Sequence, residues 1–159
     1  MSNYKLGFIG AGKLAGSVIR GLIRAKFCAP GEIVASEPNE QTRTALRNET
    51  EINLTTKNAE VAEKAQTILT GVKPPMVLPV LRELSEKLQN KLVISLAGGV
   101  RISSMEKTGN ARFMRALTNT PSAICRAATG ICRGSRSTNE DVDLPAPRAR
   151  SCPRCRSCK

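Results

Sequence analysis

Apolar and polar positions follow two periods along this chain, and the switches between them mark its elements. Tyr4-Lys-Leu-Gly-Phe-Ile9 is a short apolar run closed by glycines, which predicts a strand and a tight turn. Leu14, Val18, Leu22 and Ile23 then recur at helical spacing, predicting a helix from about Lys13 to Arg24 with these four inward. Pro30-Gly31 breaks the chain before a second strand over 32–36. The alternation continues with a helix over 40–47, a strand over 52–54 and a helix over 58–63 that Asn58 is expected to cap. A strand over 66–72 follows. Pro79 is expected to open the next helix, where a missing N–H costs nothing, with Val80, Leu81, Leu84 and Leu88 inward. A strand over 91–95 precedes a short helix that starts at the capping box Ser103-x-x-Glu106 and stops at Gly109. Strands over 111–117 and 127–132 complete the pattern.

Strands and helices alternate through residue 117, which implies a parallel sheet with right-handed crossovers and helices on both faces. The fold class is α/β, a Rossmann-like doubly wound, mostly parallel sheet. The domain spans 1–137. Residues 138–144 read as the start of a linker helix, with Thr138 as N-cap and acids in its first turn. Pro145 and Pro147 stop it. Residues 145–159 form a basic Cys/Arg/Pro tail, expected to be disordered, with no apolar residue larger than Ala or Cys to anchor it.

The strand ends carry the chemistry. The turn Gly10-Ala11-Gly12-Lys13-Leu14-Ala15 has the Gly-x-Gly-x-x-Ala form that receives a dinucleotide pyrophosphate. Gly10 permits the sharp turn, Gly12 leaves room for the phosphate, and Ala15 lets the helix pack closely. The first-turn N–H groups and the helix dipole then face the anion. Ser36-Glu37-Pro38 falls where such folds contact the adenosine ribose, because Glu37 lies 22 residues after Ala15. A carboxylate there accepts from both ribose hydroxyls and favours NAD, whereas Ser36 can donate to a 2′-phosphate. The pattern leaves that preference open, so the cofactor is NADPH or NADH. Gly71-Val72-Lys73-Pro74 and Ala97-Gly98-Gly99 follow two further strands, where an open parallel sheet holds its ligands.

Charge changes this picture less than its total suggests. The net charge is +12, but five of the 25 Lys and Arg lie in 145–159 without an acid, leaving +7 on the rest. A moderately basic body suits a polyanionic cofactor. The tail has no aromatic residue for stacking, which weighs against a nucleic-acid partner. The absence of His excludes imidazole chemistry. No apolar run approaches the ~18 residues of a membrane span. The first strand starts beside Met1, leaving no room for a signal or transit peptide, so a cytoplasmic location is expected.

Taken together, Gly7-Phe-Ile-Gly-Ala-Gly-Lys-Leu-Ala15, Val72-Lys-Pro74, Ser95-Leu-Ala-Gly-Gly-Val100, Ile102-Ser-Ser-Met-Glu106 and Met114-Arg-Ala-Leu-Thr-Asn-Thr-Pro121 resemble the pyrroline-5-carboxylate reductase family over about residues 4–144. The resemblance implies NAD(P)H-dependent reduction of 1-pyrroline-5-carboxylate to L-proline in proline biosynthesis, with no metal. It implies that Phe8, Ile9, Gly10, Ala11, Gly12 and Lys13 hold the pyrophosphate. It places Ser36, Pro38 and Asn58 at the adenosine end, Gly71 to Pro74 and Ala97 to Gly99 along the nicotinamide half, and Asn119 beneath the nicotinamide. No catalytic residue is assigned. The family is homo-oligomeric through a helical domain that follows the sheet domain. That domain is absent from these 159 residues, so impaired activity is expected.

The tail departs from the family and resembles a chain read in another frame or spliced differently, which sequencing the transcript across Leu144 and Pro145 would test. The alternative function is therefore a non-catalytic NAD(P)-binding fragment or interfering isoform. Cys152, Cys155 and Cys158 have zinc-ligand spacing, but a fourth ligand would have to come from Cys132, Cys125 or a carboxylate, so no metal site is assigned.

Overall fold

The computed structural model describes residues 4–143. Its strands are β1 (Tyr4–Ile9), β2 (Ile33–Ser36), β3 (Asn53–Thr55), β4 (Ala65–Thr70), β5 (Leu92–Ser95), β6 (Arg112–Leu117) and β7 (Gly130–Arg133). The helices are α1 (Lys13–Arg24), α2 (Glu40–Thr50), α3 (Asn58–Lys64), α4 (Pro74–Glu83), α5 (Ile102–Glu106) and α6 (Asn139–Asp143). Two 3-10 turns lie at Pro30–Glu32 and Thr120–Ile124. The strand order is β3-β2-β1-β4-β5-β6-β7, parallel except for β7, which runs antiparallel to β6. The expected doubly wound sheet is present. Its order reverses between β1 and β4, the switch point where such sheets bind ligands.

Side chains alternate across the sheet and feed two cores. Phe8, Ile33 and Leu69 pack with Ile19 and Leu22 of α1 and Leu46 of α2. Ile9, Ile68 and Val93 face the other way, against Val61 of α3, Val77 and Leu81 of α4 and Met105 of α5. Burying one such aliphatic side chain contributes about 1.5–3 kcal/mol.

Several local expectations are corrected. The face of α1 that reaches the core carries Ala15, Ile19 and Leu22, while Leu14, Val18 and Ile23 are only partly buried. Small residues face the sheet because the contact is close: a Cβ on Gly71 would lie 2.6 Å from the Cβ of Ala15. Pro79 does not open α4 but lies inside it, because Pro74 and Pro75 already occupy the first turn. Val80, Leu81, Leu84 and Leu88 are buried as expected.

Lys57, not Asn58, is the N-cap of α3, without a side-chain bond. Asn58 is spent elsewhere, as described below. Likewise α5 is capped by Arg101, and the capping box does not form. Glu106 instead accepts from Ser135 N at 2.6 Å and Ser135 Oγ at 2.7 Å, joining α5 to the loop after β7.

Helix α2 runs three residues beyond its expected end, to Thr50. Asn39 caps it by accepting from Thr42 N at 2.9 Å, and Glu51 ends it in the left-handed conformation. Thr138 caps α6 as expected: Thr138 Oγ1 accepts from Asp141 N at 3.2 Å, and Thr138 N donates to Asp141 Oδ2 at 2.8 Å. Leu144, the tail from Pro145 and its three cysteines lie outside the described residues.

Candidate dinucleotide-binding site

The parallel register brings the strand ends into one row. Ile9 sits beside Ser36 on one side and Thr70 on the other, and Thr70 sits beside Ser95. The loops after β1, β2, β4 and β5 therefore open on the same edge of the sheet. Gly10 turns the chain with φ +83°, its N–H donating to Ser36 O at 3.0 Å. Gly71 N donates to Ile9 O at 2.8 Å and locks the β4 loop against the first turn. At the β5 end Gly99 has φ +77°, and both Gly98 and Gly99 are exposed.

The first turn fits a phosphate. Gly12 caps α1 with extended backbone and no side-chain bond, and no protein atom lies within 4 Å of where its Cβ would stand. The N–H groups of Lys13, Leu14 and Ala15 find no acceptor among the described residues. An N-terminus with free donors and open space above it is a built anion cradle. A cavity of about 500 Å³ adjoins it, lined by Ala11, Gly12, Lys13, Glu37, Thr42 and Thr120 among others.

The β2 end is tightly wired. Ser36 is fully buried, and its hydroxyl donates to Asn58 Oδ1 at 2.7 Å, so Asn58 braces the β2 end from α3. Glu37 is 8 % exposed. Its Oε2 accepts from Ala11 N at 3.2 Å and its Oε1 from Asn39 N at 3.0 Å. Pro38 is exposed. Arg43 Nη1 donates to Glu37 O at 2.9 Å and Pro38 O at 3.2 Å. Arg43 was missed in the sequence, since it is not contiguous with Ser36; one helical turn into α2 folds it back onto that loop.

The remaining residues divide by burial. Phe8 and Ile9 are fully buried core side chains, so only their backbone can border a ligand. Val72 is half-buried and Lys73 exposed, and Pro74 begins α4. Ala97 is buried, its N–H donating to Ser95 Oγ at 3.3 Å. Asn119 is exposed and accepts from Ala128 N at 3.2 Å, bracing the loop after β6. Thr70 was also missed. It is fully buried at the switch point, and its Oγ1 has no partner among the described residues. No group of three or more metal-ligating side chains gathers among the described residues.

Strand order, glycine cradle and switch point define a dinucleotide-binding α/β domain. Residues 5–99 match the family described as NADP oxidoreductase, coenzyme F420-dependent, and the chain belongs to that family. It is 32 % identical over 146 residues to a pyrroline-5-carboxylate reductase of Arabidopsis thaliana, covering 91 % of this chain and 53 % of the relative. With pyrroline-5-carboxylate reductase 2 of Homo sapiens it shares 36 % identity over 147 residues, 87 % of this chain and 46 % of the relative. Among solved structures, a pyrroline-5-carboxylate reductase from Coxiella burnetii matches with TM-score 0.82 and 28 % identity, covering 90 % of this chain and 54 % of that one. The Plasmodium falciparum pyrroline carboxylate reductase with NADP bound matches with TM-score 0.78 and 26 % identity, covering 89 % and 52 %. The chain spans about half the length of the curated relatives it matches.

Proposed function

We propose that this chain binds NAD(P)H for reduction of the C=N bond of 1-pyrroline-5-carboxylate to L-proline. One observation carries the reading: proteins named pyrroline-5-carboxylate reductase match nearly all of the chain, at 32 % and 36 % identity in the two cases above. The free donors of α1 and the open space over Gly12 support the cofactor half physically.

In this reading the backbone of Gly10 to Lys13 receives the pyrophosphate, bordered by Phe8 and Ile9. Ser36, Glu37, Pro38 and Asn58 shape the adenosine end. Gly71, Val72, Lys73 and Pro74, with Ala97, Gly98 and Gly99, line the nicotinamide half above Asn119. Lys73 is exposed at the β4 end, where its ammonium would contact the cofactor ribose. When bound, the reduced nicotinamide supplies the hydride. The strand-end loops then have to hold the protonated imine face-on at near-attack distance and exclude water. The reading places the chain in the cytoplasm with a small-molecule substrate. No helix among the described residues is long and apolar enough to cross a membrane.

The match to about half of each relative favours a second reading for these 159 residues by themselves, binding without turnover. Titration with NADH and NADPH, followed by nicotinamide fluorescence, tests the shared part; cofactor oxidation on adding 1-pyrroline-5-carboxylate, read by absorbance, separates the two. Turnover supports the reductase, binding alone supports the second reading, and absence of binding rejects both.

A further inference from the structure

Glu37 stands at the adenosine end in a way that bears on which dinucleotide this domain accepts. Its backbone is pinned to β3, with Glu37 N donating to Thr55 O at 3.0 Å. Its side chain is buried and bridges two loops, Oε2 on Ala11 N and Oε1 on Asn39 N. The carboxylate therefore has a fixed position on the wall of the 500 Å³ cavity, next to the cradle at Gly12. Each oxygen has one bond from this chain and keeps a lone pair for another donor.

Most of the other polar groups nearby are already engaged. Ser36 is fully buried with its hydroxyl directed to Asn58, so it is withdrawn from a 2′-phosphate. Asn39 Oδ1 is an acceptor already bonded to Thr42 N. Arg20 is paired with Glu49. Arg43 holds the carbonyls of Glu37 and Pro38 through one nitrogen. Lys13 is exposed on the first turn.

We infer that Glu37 selects NADH over NADPH in this chain. The inference rests on the dinucleotide reading above and deepens it. The 2′- and 3′-hydroxyls of an unphosphorylated ribose donate to the free lone pairs of the carboxylate. A 2′-phosphate brings a second anion to the same wall in place of the 2′-hydroxyl donor, and the like charges repel. The bridge from Ala11 to Asn39 keeps the carboxylate from swinging aside, because leaving would strip two backbone N–H groups of their acceptor. The selection thus runs opposite to the NADP named for the family and for the Plasmodium falciparum structure.

The experiment measures dissociation constants of NADH and NADPH by fluorescence, and of 5′-AMP and 2′,5′-ADP by competition, at one fixed ionic strength. The full chain is expected to bind NADH at least tenfold more tightly than NADPH, and 5′-AMP more tightly than 2′,5′-ADP. Glu37→Gln removes the charge and keeps one of the two acceptors of the bridge, and should bring the NADH/NADPH ratio within about threefold, chiefly by strengthening NADPH. Glu37→Ser is the second variant, and the 5′-AMP/2′,5′-ADP comparison on the unaltered chain needs neither. Equal binding of both cofactors, or a ratio unchanged in Glu37→Gln, overturns the inference while leaving the dinucleotide reading standing. Tighter NADPH binding that Arg43→Ala abolishes overturns it too, and assigns the 2′-phosphate to Arg43. No binding of either cofactor rejects both.

Discussion

Gly12 and Gly71 lie in neighbouring strand-end loops and lack a side chain for different reasons. A Cβ on Gly71 would press on the carbonyl oxygen of Gly10 at 2.5 Å and the Cβ of Ala15 at 2.6 Å, so this glycine keeps β4 against the first turn. Gly71→Ala should therefore cost about 1–3 kcal/mol of stability, read as a lower urea midpoint. Above Gly12 there is only open space. Gly12→Ala should change stability by less than about 1 kcal/mol. The same substitution should weaken dinucleotide binding by roughly tenfold or more, because its methyl group enters the phosphate space. A loss of stability equal to that of Gly71→Ala would contradict this division. In the sequence both glycines were legible as strand-end positions on the ligand side. Which one approaches protein and which one ligand was not, since that depends on what stands opposite.

Element boundaries turned on competition for the same side chains. Asn39 and Asn58 are both amides beside a helix start. Asn39 caps α2, whereas Asn58 takes the Ser36 hydroxyl and leaves α3 with Lys57 as an uncapped N-cap. Asn39→Ala should lower stability by about 1 kcal/mol and be rescued by Asp or Ser at the same position, with thermal unfolding as the readout. Glu106 repeats the lesson: local spacing offered it to Ser103, but the loop after β7 brings Ser135 closer to it. Pro79 shows the opposite case. Its neighbours Val77, Val80 and Leu81 are buried against the sheet, so packing carries α4 through a residue that supplies no N–H.

At the scale of the molecule, the last described helix is tied to the sheet by charge. Asp141 is 7 % exposed and accepts from Arg112 Nε at 3.0 Å and Nη2 at 3.1 Å. Burial pushes its carboxyl up, but the Arg112 guanidinium and the Thr138 N–H together outweigh that and hold it below its usual range. A carboxyl lowered in the folded state contributes stability in full above its unfolded value, about pH 4, and loses it as pH falls through the folded value. Asp141→Asn should thus lower stability at neutral pH, and the difference should vanish on acidification below that range. A pH-independent difference would mean that the loss is packing alone. Beside this tie lies an apolar cavity of about 100 Å³ between α1, β4, β5, β6 and α6, lined by Leu22, Leu69, Ile94, Met114 and Val142 among others.

By itself the sequence determined the alternation of elements, and hence the parallel doubly wound sheet, because hydrophobic period and glycine punctuation are local properties. It also placed the glycine turn that opens α1, whose spacing is contiguous in the chain. Only the tertiary structure decided what spans distance: the alignment of Ile9, Ser36, Thr70 and Ser95, the antiparallel return of β7, and the orphaned hydroxyl of Thr70. It alone showed that Ser36 is already committed to Asn58, that Arg43 folds back on the β2 loop, and that Glu37 is held between two backbone donors. The physical reason is that a hydrogen bond depends on separation in space, and these partners stand up to 26 residues apart in the chain.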